Sequence, residues 1–267
     1  MATVGLLHPG AMGATLARGI AGAEVLWCPD GRSGATRRRA EAAGLTPCAL
    51  DGLLAASDVV ISICPPAFAE DVARSADGFG GTFVDANAVS PARKARLAEP
   101  FGQRFVDGSV IGGAAPYGGA DVRIYLAGPR AGEVAALFAG KGVTPVDLGP
   151  EPGRASALKM AYAHYQKGSR ALAAASHALV AGTGLEEHLL DEARRIRVAA
   201  LARPDELPGV AARAWRWGPE MLEIAATLAA AGLPDGLARG AADAFARWDP
   251  DKDTELPVDE ALAHLRA

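Results

Sequence analysis

The sequence predicts an α/β Rossmann-type, doubly wound domain over residues 1–152, followed by an all-α domain over 153–267. Three observations lead there. Up to about residue 150, short apolar runs alternate with stretches of helical periodicity, and Gly or Pro marks the joins, as a parallel sheet with crossover helices requires. Beyond Gly153 the strand signals stop and helical periodicity alone continues. The first apolar run passes through His8-Pro9-Gly10-Ala11-Met12-Gly13 directly into a helix, the arrangement in which a helix N-terminus meets a phosphate.

Taken in order, strands are expected at 3–7, 24–27, 58–63, 82–86, 104–111, 122–127 and 143–147. Helices are expected between them at 12–21, 35–43, 50–56, 67–76, 91–98 and 131–139. Pro150, Pro152 and Gly153 punctuate the domain boundary. The second domain reads as helices near 154–181, 186–202, 209–216, 219–231 and 235–248, with Pro204, Pro208, Gly232 and Pro234 at helix ends. The charged tail from Asp249 is expected to be loosely held, and no internal repeat is visible.

A chain of 267 residues fits two domains, and 50% apolar with 22% charged residues excludes a wholly disordered or collagen-like chain. The net charge of −4 offers no basic field for a phosphate polymer, so nucleic acid is not expected as a partner. Cys28, Cys48 and Cys64 have no C-x-x-C spacing, so neither a disulfide framework nor a metal site is expected and a reducing cytoplasm fits. The N-terminus has no basic flank and its apolar stretch is soon broken by glycine, unlike a signal peptide. No run approaches the ~20 apolar residues of a membrane span. A soluble, cytoplasmic protein is the expectation.

In the first turn, Gly10 lets a backbone approach a pyrophosphate and Gly13 lets the helix pack on the strand, while His8 replaces the glycine of the tight turn. His8 either shapes the turn beside Pro9 or reaches the phosphates or the substrate. The loop after the second strand contains Asp30, which suits a ribose hydroxyl, and Arg32 with Ser33, which suit the 2′-phosphate of NADP. The second pair favours NADP(H). Arg38 and Arg39 read as a solvated helix face. Cys64-Pro65-Pro66 closes the run at 58–63 on the carboxyl edge of the sheet and is expected to line the ribose and nicotinamide path. As a nucleophile Cys64 lacks a neighbouring base in the sequence.

Together these elements resemble the beta-hydroxyacid dehydrogenase group of the 6-phosphogluconate dehydrogenase superfamily over nearly the whole chain. The family's G-x-G-x-M-G is answered by His8-x-Gly10-x-Met12-Gly13, and its Asn-Arg-Thr loop by Gly31-Arg32-Ser33. Its D-x-S-T-x-x-P loop is answered by Asp85-Ala86-Asn87-Ala88-Val89-Ser90-Pro91, and D-A-P-V-S-G-G by Asp107-Gly108-Ser109-Val110-Ile111-Gly112-Gly113. On the family's G-x-G-x-x-x-K-x-x-x-N helix fall Gly153, Ala155, Lys159 and Ala163, so the lysine is kept and the asparagine lost. The helical end, with Trp215-Arg216-Trp217 and Glu220-Met221, is similar to a bacterial branch whose C-terminal domain has mostly carried an uncharacterised label. The resemblance implies an NAD(P)-dependent oxidoreductase, and a homodimer formed through the helical domain, in which residues of the 209–223 region reach the partner's active site.

Lys159 stands out from the residues as well. It lies in an Ala-rich helix near the domain junction and is one of five lysines beside 22 arginines. A lysine buried there is a proton donor that arginine cannot replace. Tyr162 and Gln166 follow at i+3 and i+7 on its face, either as cleft residues or as packing, and Lys167 reads as a surface charge.

Asn87, Ala88, Ile111 and Ala163 stand where the relatives carry Ser, Thr, Ser and Asn, so much of a hydroxy acid's polar clamp is gone. Asn87, Ser90 and the N–H groups of Gly112 and Gly113 remain as expected donors, and Trp215, Trp217 and Met221 either wall the pocket or pack between helices. The leading expectation is an NADPH-dependent reductase acting on the carbonyl of a small molecule, with Lys159 as proton donor. An imine reductase on the same scaffold is the alternative, and a non-catalytic NADPH-binding sensor is the alternative of another class.

Overall fold

The computed structural model describes residues 2–113, 121–140, 142–196 and 202–266. Cα packing divides the chain into Met1–Lys159 and Met160–Ala267.

The first unit runs β1 (Ala2–Leu6), α1 (Ala11–Gly19), β2 (Ala23–Trp27), α2 (Gly34–Ala42), β3 (Thr46–Pro47), α3 (Leu50–Ala56) and β4 (Val59–Ser62). It continues with α4 (Ala69–Arg74), β5 (Thr82–Asp85), α5 (Pro91–Ala98), β6 (Phe105–Ile111), β7 (Val122–Ala127), α6 (Ala131–Ala136) and β8 (Val143–Asp147). These strands form one sheet of order β3-β2-β1-β4-β5-β6-β7-β8. Neighbours pair in parallel throughout, except for β6 with β7. The chain winds outward from β1 in both directions, so the carboxyl ends of β1 and β4 flank the crevice where such sheets bind ligands.

Both faces of the sheet are covered, which is why its central strands read as apolar runs rather than as alternations. Ile61, Val84 and Val106 point into one core with Leu6 and Leu16, whereas Val60, Phe83 and Phe105 point into the other with Leu53. In the second core Phe83 stacks on Phe101 with ring centroids 4.1 Å apart. Burial of each such ring contributes ~1.5–3 kcal/mol.

Two details of this first unit differ from the sequence reading. The edge strand β3 was not anticipated: it is two residues long, one of them Pro47, and its pairing with Leu26 and Trp27 has no counterpart in local periodicity. The helix expected at 67–76 is a 3-10 turn, Pro66–Phe68, followed by the shorter α4, because Pro65 and Pro66 set an extended entry.

The division between the units falls inside α7 (Arg154–Val180). Then come α8 (Glu186–Arg195), α9 (Leu207–Ala230), α10 (Gly236–Ala246) and α11 (Val258–Arg266). Residues 197–201, within the helix expected at 186–202, lie outside the described residues. The helices expected at 209–216 and 219–231 are the single helix α9, with Pro219 inside it. Proline removes one helical hydrogen bond, yet the turn before it is held from outside: Trp217 meets Phe245 of α10 edge-on at 5.7 Å, and Gly218 faces Ala242 and Phe245.

The tail after Asp249 is ordered, contrary to expectation. Trp248 is fully buried and its indole N–H donates to the Ala261 carbonyl at 2.8 Å. The His264 ring lies 2.9 Å from the Asp251 carboxylate. Val258, Ala261, Leu262 and Leu265 form the i, i+3, i+4, i+7 stripe that α11 turns inward.

Candidate active site

β1 hands over to α1 through His8-Pro9-Gly10. The Gly10 N–H donates back to the His8 carbonyl at 2.8 Å, and Gly10 caps α1 without a side-chain bond. The first N–H groups of a helix have no intrahelical partner and carry its positive end, so the turn is suited to an anion. A Cβ at Gly13 would stand 2.3 Å from the His8 carbonyl oxygen, so only glycine allows this approach. At Gly10 a Cβ would meet nothing within 4 Å, which leaves the outer side of the turn open.

His8 Nδ1 and Arg32 Nε are both buried without a hydrogen-bond partner. Burial, reinforced by the Arg32 charge, lowers the His8 pKa to about 4, so the imidazole is neutral at neutral pH. The Arg32 loop is braced by Arg37, which donates to the Pro29 carbonyl at 2.7 Å. Ser33 caps α2, its oxygen accepting from the Thr36 N–H at 3.3 Å, and stays exposed. Cys64 has its thiol pushed up to about 12, chiefly by burial and then by Asp85, which disfavours the thiolate a nucleophile needs.

Asn87 and Ser90 correct the sequence reading. Asn87 is 1% exposed and bridges the carboxyl ends of β4 and β5: its amide nitrogen donates to Ser62 Oγ at 3.1 Å and to Asp85 at 2.6 Å, and its oxygen accepts from the Cys64 N–H. Ser90 is buried as the N-cap of α5. Both are engaged by the fold and neither is spare for a ligand.

Lys94 was missed. Three residues after Pro91, it is fully buried and paired with Asp85, lies 3.4 Å from Asp107, and donates to the Gly108 carbonyl at 3.1 Å. The signal was present in Asp85 and Asp107, carboxylates inside apolar strands that demand a buried partner. Asp107 in turn accepts on one oxygen from the N–H groups of Gly153 and Ser156, both at 2.9 Å, and from the Ser156 hydroxyl at 3.0 Å. Three residues after Ser156 on α7, Lys159 Nζ donates to the Val110 carbonyl at 2.9 Å, near the carboxyl end of β6. Past that end Gly112 adopts φ +129°, where a Cβ would lie 2.5 Å from the Asp121 carbonyl oxygen.

In the helical unit, Tyr162 is 44% exposed, and the Gln166 carbonyl accepts from Arg170 at 2.6 Å. Lys167 is corrected from a surface charge to a buried one, ion-paired with Glu220 and 5.7 Å from the Trp217 ring centroid. Trp217 and Met221 belong to the core of this unit, so packing accounts for their burial. Trp215 is half-buried, with Lys252 Nζ 4.1 Å from its ring centroid.

Residues 182–248 match the family described as Domain of unknown function (DUF1932). No curated protein matches the chain. Among solved structures, the chain is similar to the conserved protein MTH1747, itself described as of unknown function with structural similarity to 3-hydroxyacid dehydrogenases. Identity is 29%, with 92% of this chain and 97% of that one covered and a TM-score of 0.68. It is also similar to the Mycobacterium tuberculosis 3-hydroxyisobutyrate dehydrogenase solved with L-serine, at 20% identity over 100% of both chains, TM-score 0.72. A third likeness is to the reductive aminase of Aspergillus terreus in complex with NADPH and ethyl levulinate, at 16% identity over 100% of both chains, TM-score 0.58.

Proposed function

The chain has the 3-hydroxyacid dehydrogenase fold with a DUF1932 domain in its helical half, and from that premise we propose that it is an NADPH-dependent reductase of a small carbonyl compound. The observation that carries the reading is Lys159, held by Val110 at the carboxyl end of β6, on the same sheet edge as the His8–Gly13 turn. The residues fit a dinucleotide: an open turn at Gly10, a helix N-terminus behind it, and Arg32 with a buried, unpartnered Nε beside it. Pro9, Ala11, Met12, Pro65 and Pro66 complete the cofactor path in this reading. Bound there, the coenzyme supplies a hydride to the carbonyl carbon.

The chain's own residues do the rest. Lys159 Nζ passes a proton to the carbonyl oxygen, with Tyr162 as the second candidate for that step. The N–H groups of Gly112 and Gly113 orient the substrate. The helical half, read as beginning at residue 153, serves for substrate and dimer formation. Ten large apolar side chains are exposed among the described residues, and all but Phe68 lie from Leu158 onward, which supports association through this half. Three free cysteines suit a cytoplasmic protein, and among the described residues no helix is long and apolar enough to cross a membrane.

One observation favours the imine alternative: Asn87 and Ser90, expected to remain as donors to the substrate, are both bonded within the fold. The test is a titration of NADPH against NADH by nicotinamide fluorescence, followed by carbonyl and carbonyl-plus-amine panels read at the NADPH absorbance. Tight NADPH binding with oxidation by a carbonyl alone supports the proposal. Oxidation only when an amine is added favours the imine reading, and binding without oxidation favours a sensor.

A further inference from the structure

The first turn of the helix that carries Lys159 is held from β6 as well as by its own Ser156–Gly153 contact. This turn, Arg154-Ala155-Ser156, follows Gly153, and the groups that orient it are gathered by a residue 46 positions earlier, on β6. One Asp107 oxygen takes three donors from this turn, the Gly153 and Ser156 N–H groups and the Ser156 hydroxyl. Asp107, Asp85 and Lys94 are all fully buried, and both carboxyl groups converge on the one lysine. The positive end of α7 is a further favourable partner for Asp107. Lys94 is locked in turn by the Asp85 and Gly108 carbonyls.

β6 therefore grips α7 twice. Asp107 fixes the start of the helix, and three residues on, the Val110 carbonyl receives Lys159 Nζ. Rotation or sliding of α7 by a fraction of a turn would carry Nζ away from that carbonyl, because side-chain direction is tied to helix phase. We propose that Asp107, clamped between Lys94 and Ser156, is a positioning residue that sets the place of the Lys159 ammonium group. The proposal rests on the reading of Lys159 as the proton donor, but its test needs no turnover.

The experiment is competitive labelling of the full-length protein with trace acetic anhydride, read lysine by lysine from peptide masses. Exposed Lys252 serves as the reference amine and fully buried Lys94 as the unreactive control. Ser156→Ala removes one of the three bonds, and Asp107→Asn keeps the shape while weakening all of them. Both variants are expected to raise Lys159 labelling relative to Lys252 by about five- to tenfold, the scale on which one hydrogen bond changes an equilibrium. On any carbonyl that the protein reduces, kcat falls while the NADPH Kd holds.

A folded Ser156→Ala protein that melts lower yet labels Lys159 at the wild-type rate would make the network structural only, and the proposal would fall. If Asp107→Asn does not fold, Ser156→Ala decides alone. A protein that reduces nothing overturns the reductase reading instead, and the labelling is then read independently of it.

Discussion

Arg32 and His8 make the first turn of this chain, proposed to hold the coenzyme, different from a plain glycine loop. The buried Arg32 Nε has no partner of its own, and a charge-assisted contact to a 2′-phosphate would supply one. Arg32→Ala is therefore expected to weaken NADPH by about 10- to 100-fold and NADH far less. Equal losses for both coenzymes, measured by nicotinamide fluorescence, would remove the NADP assignment.

His8 gives a pH signature of definite sign. Its folded pKa of about 4 lies below the ordinary 6.5, so between these values the unfolded chain binds more protons than the folded one. Stability from this group is whole above about pH 6.5 and is lost progressively as pH falls towards 4. Thermal melts of His8→Gly should show a shallower decline over that window than wild type. Identical slopes would mean that His8 is not a buried neutral imidazole.

At the scale of elements, legibility followed locality. β1, its turn and α1 could be read because an apolar run, two glycines and a helical period sit in one stretch of sequence. β3 could not, since two residues including a proline acquire strand character only by lying beside Leu26 and Trp27. The gap expected between helices 209–216 and 219–231 follows local periodicity, whereas the Trp217–Phe245 packing beside the single helix α9 spans 28 residues of sequence. Lys94 carried no sign of its own, and its meaning comes from two strands, β5 and β6, brought together by the sheet.

The same contrast explains the ordered tail, where α11 is docked through Trp248 and the Asp251–His264 pair. The hydrogen bond and charge of Asp251 raise the His264 pKa. That stabilisation is whole below the ordinary histidine value of about 6.5 and is lost as pH rises through the raised one. Asp251→Asn should thus lower the melting midpoint more at pH 6 than at pH 9, opposite in sense to His8. A pH-independent loss would show that the pair contributes only a neutral hydrogen bond.

For the whole molecule, the apolar side chains exposed among the described residues of the helical half, among them Tyr162, Tyr165, Leu172 and Leu222, support the proposed homodimer. Sedimentation at micromolar protein should give the mass of a dimer, and a concentration-independent monomer would refute that expectation. In the proposed function coenzyme binding and proton donation are separate tasks of one chain, the second belonging to Lys159. Lys159→Met keeps the apolar stem and removes the proton, so single-turnover reduction of the best carbonyl substrate is its direct measure. The predicted result is unchanged NADPH binding with a rate lowered by ~10²–10⁴-fold. Reduction at the wild-type rate would contradict it and move the proton donor elsewhere, to Tyr162 first.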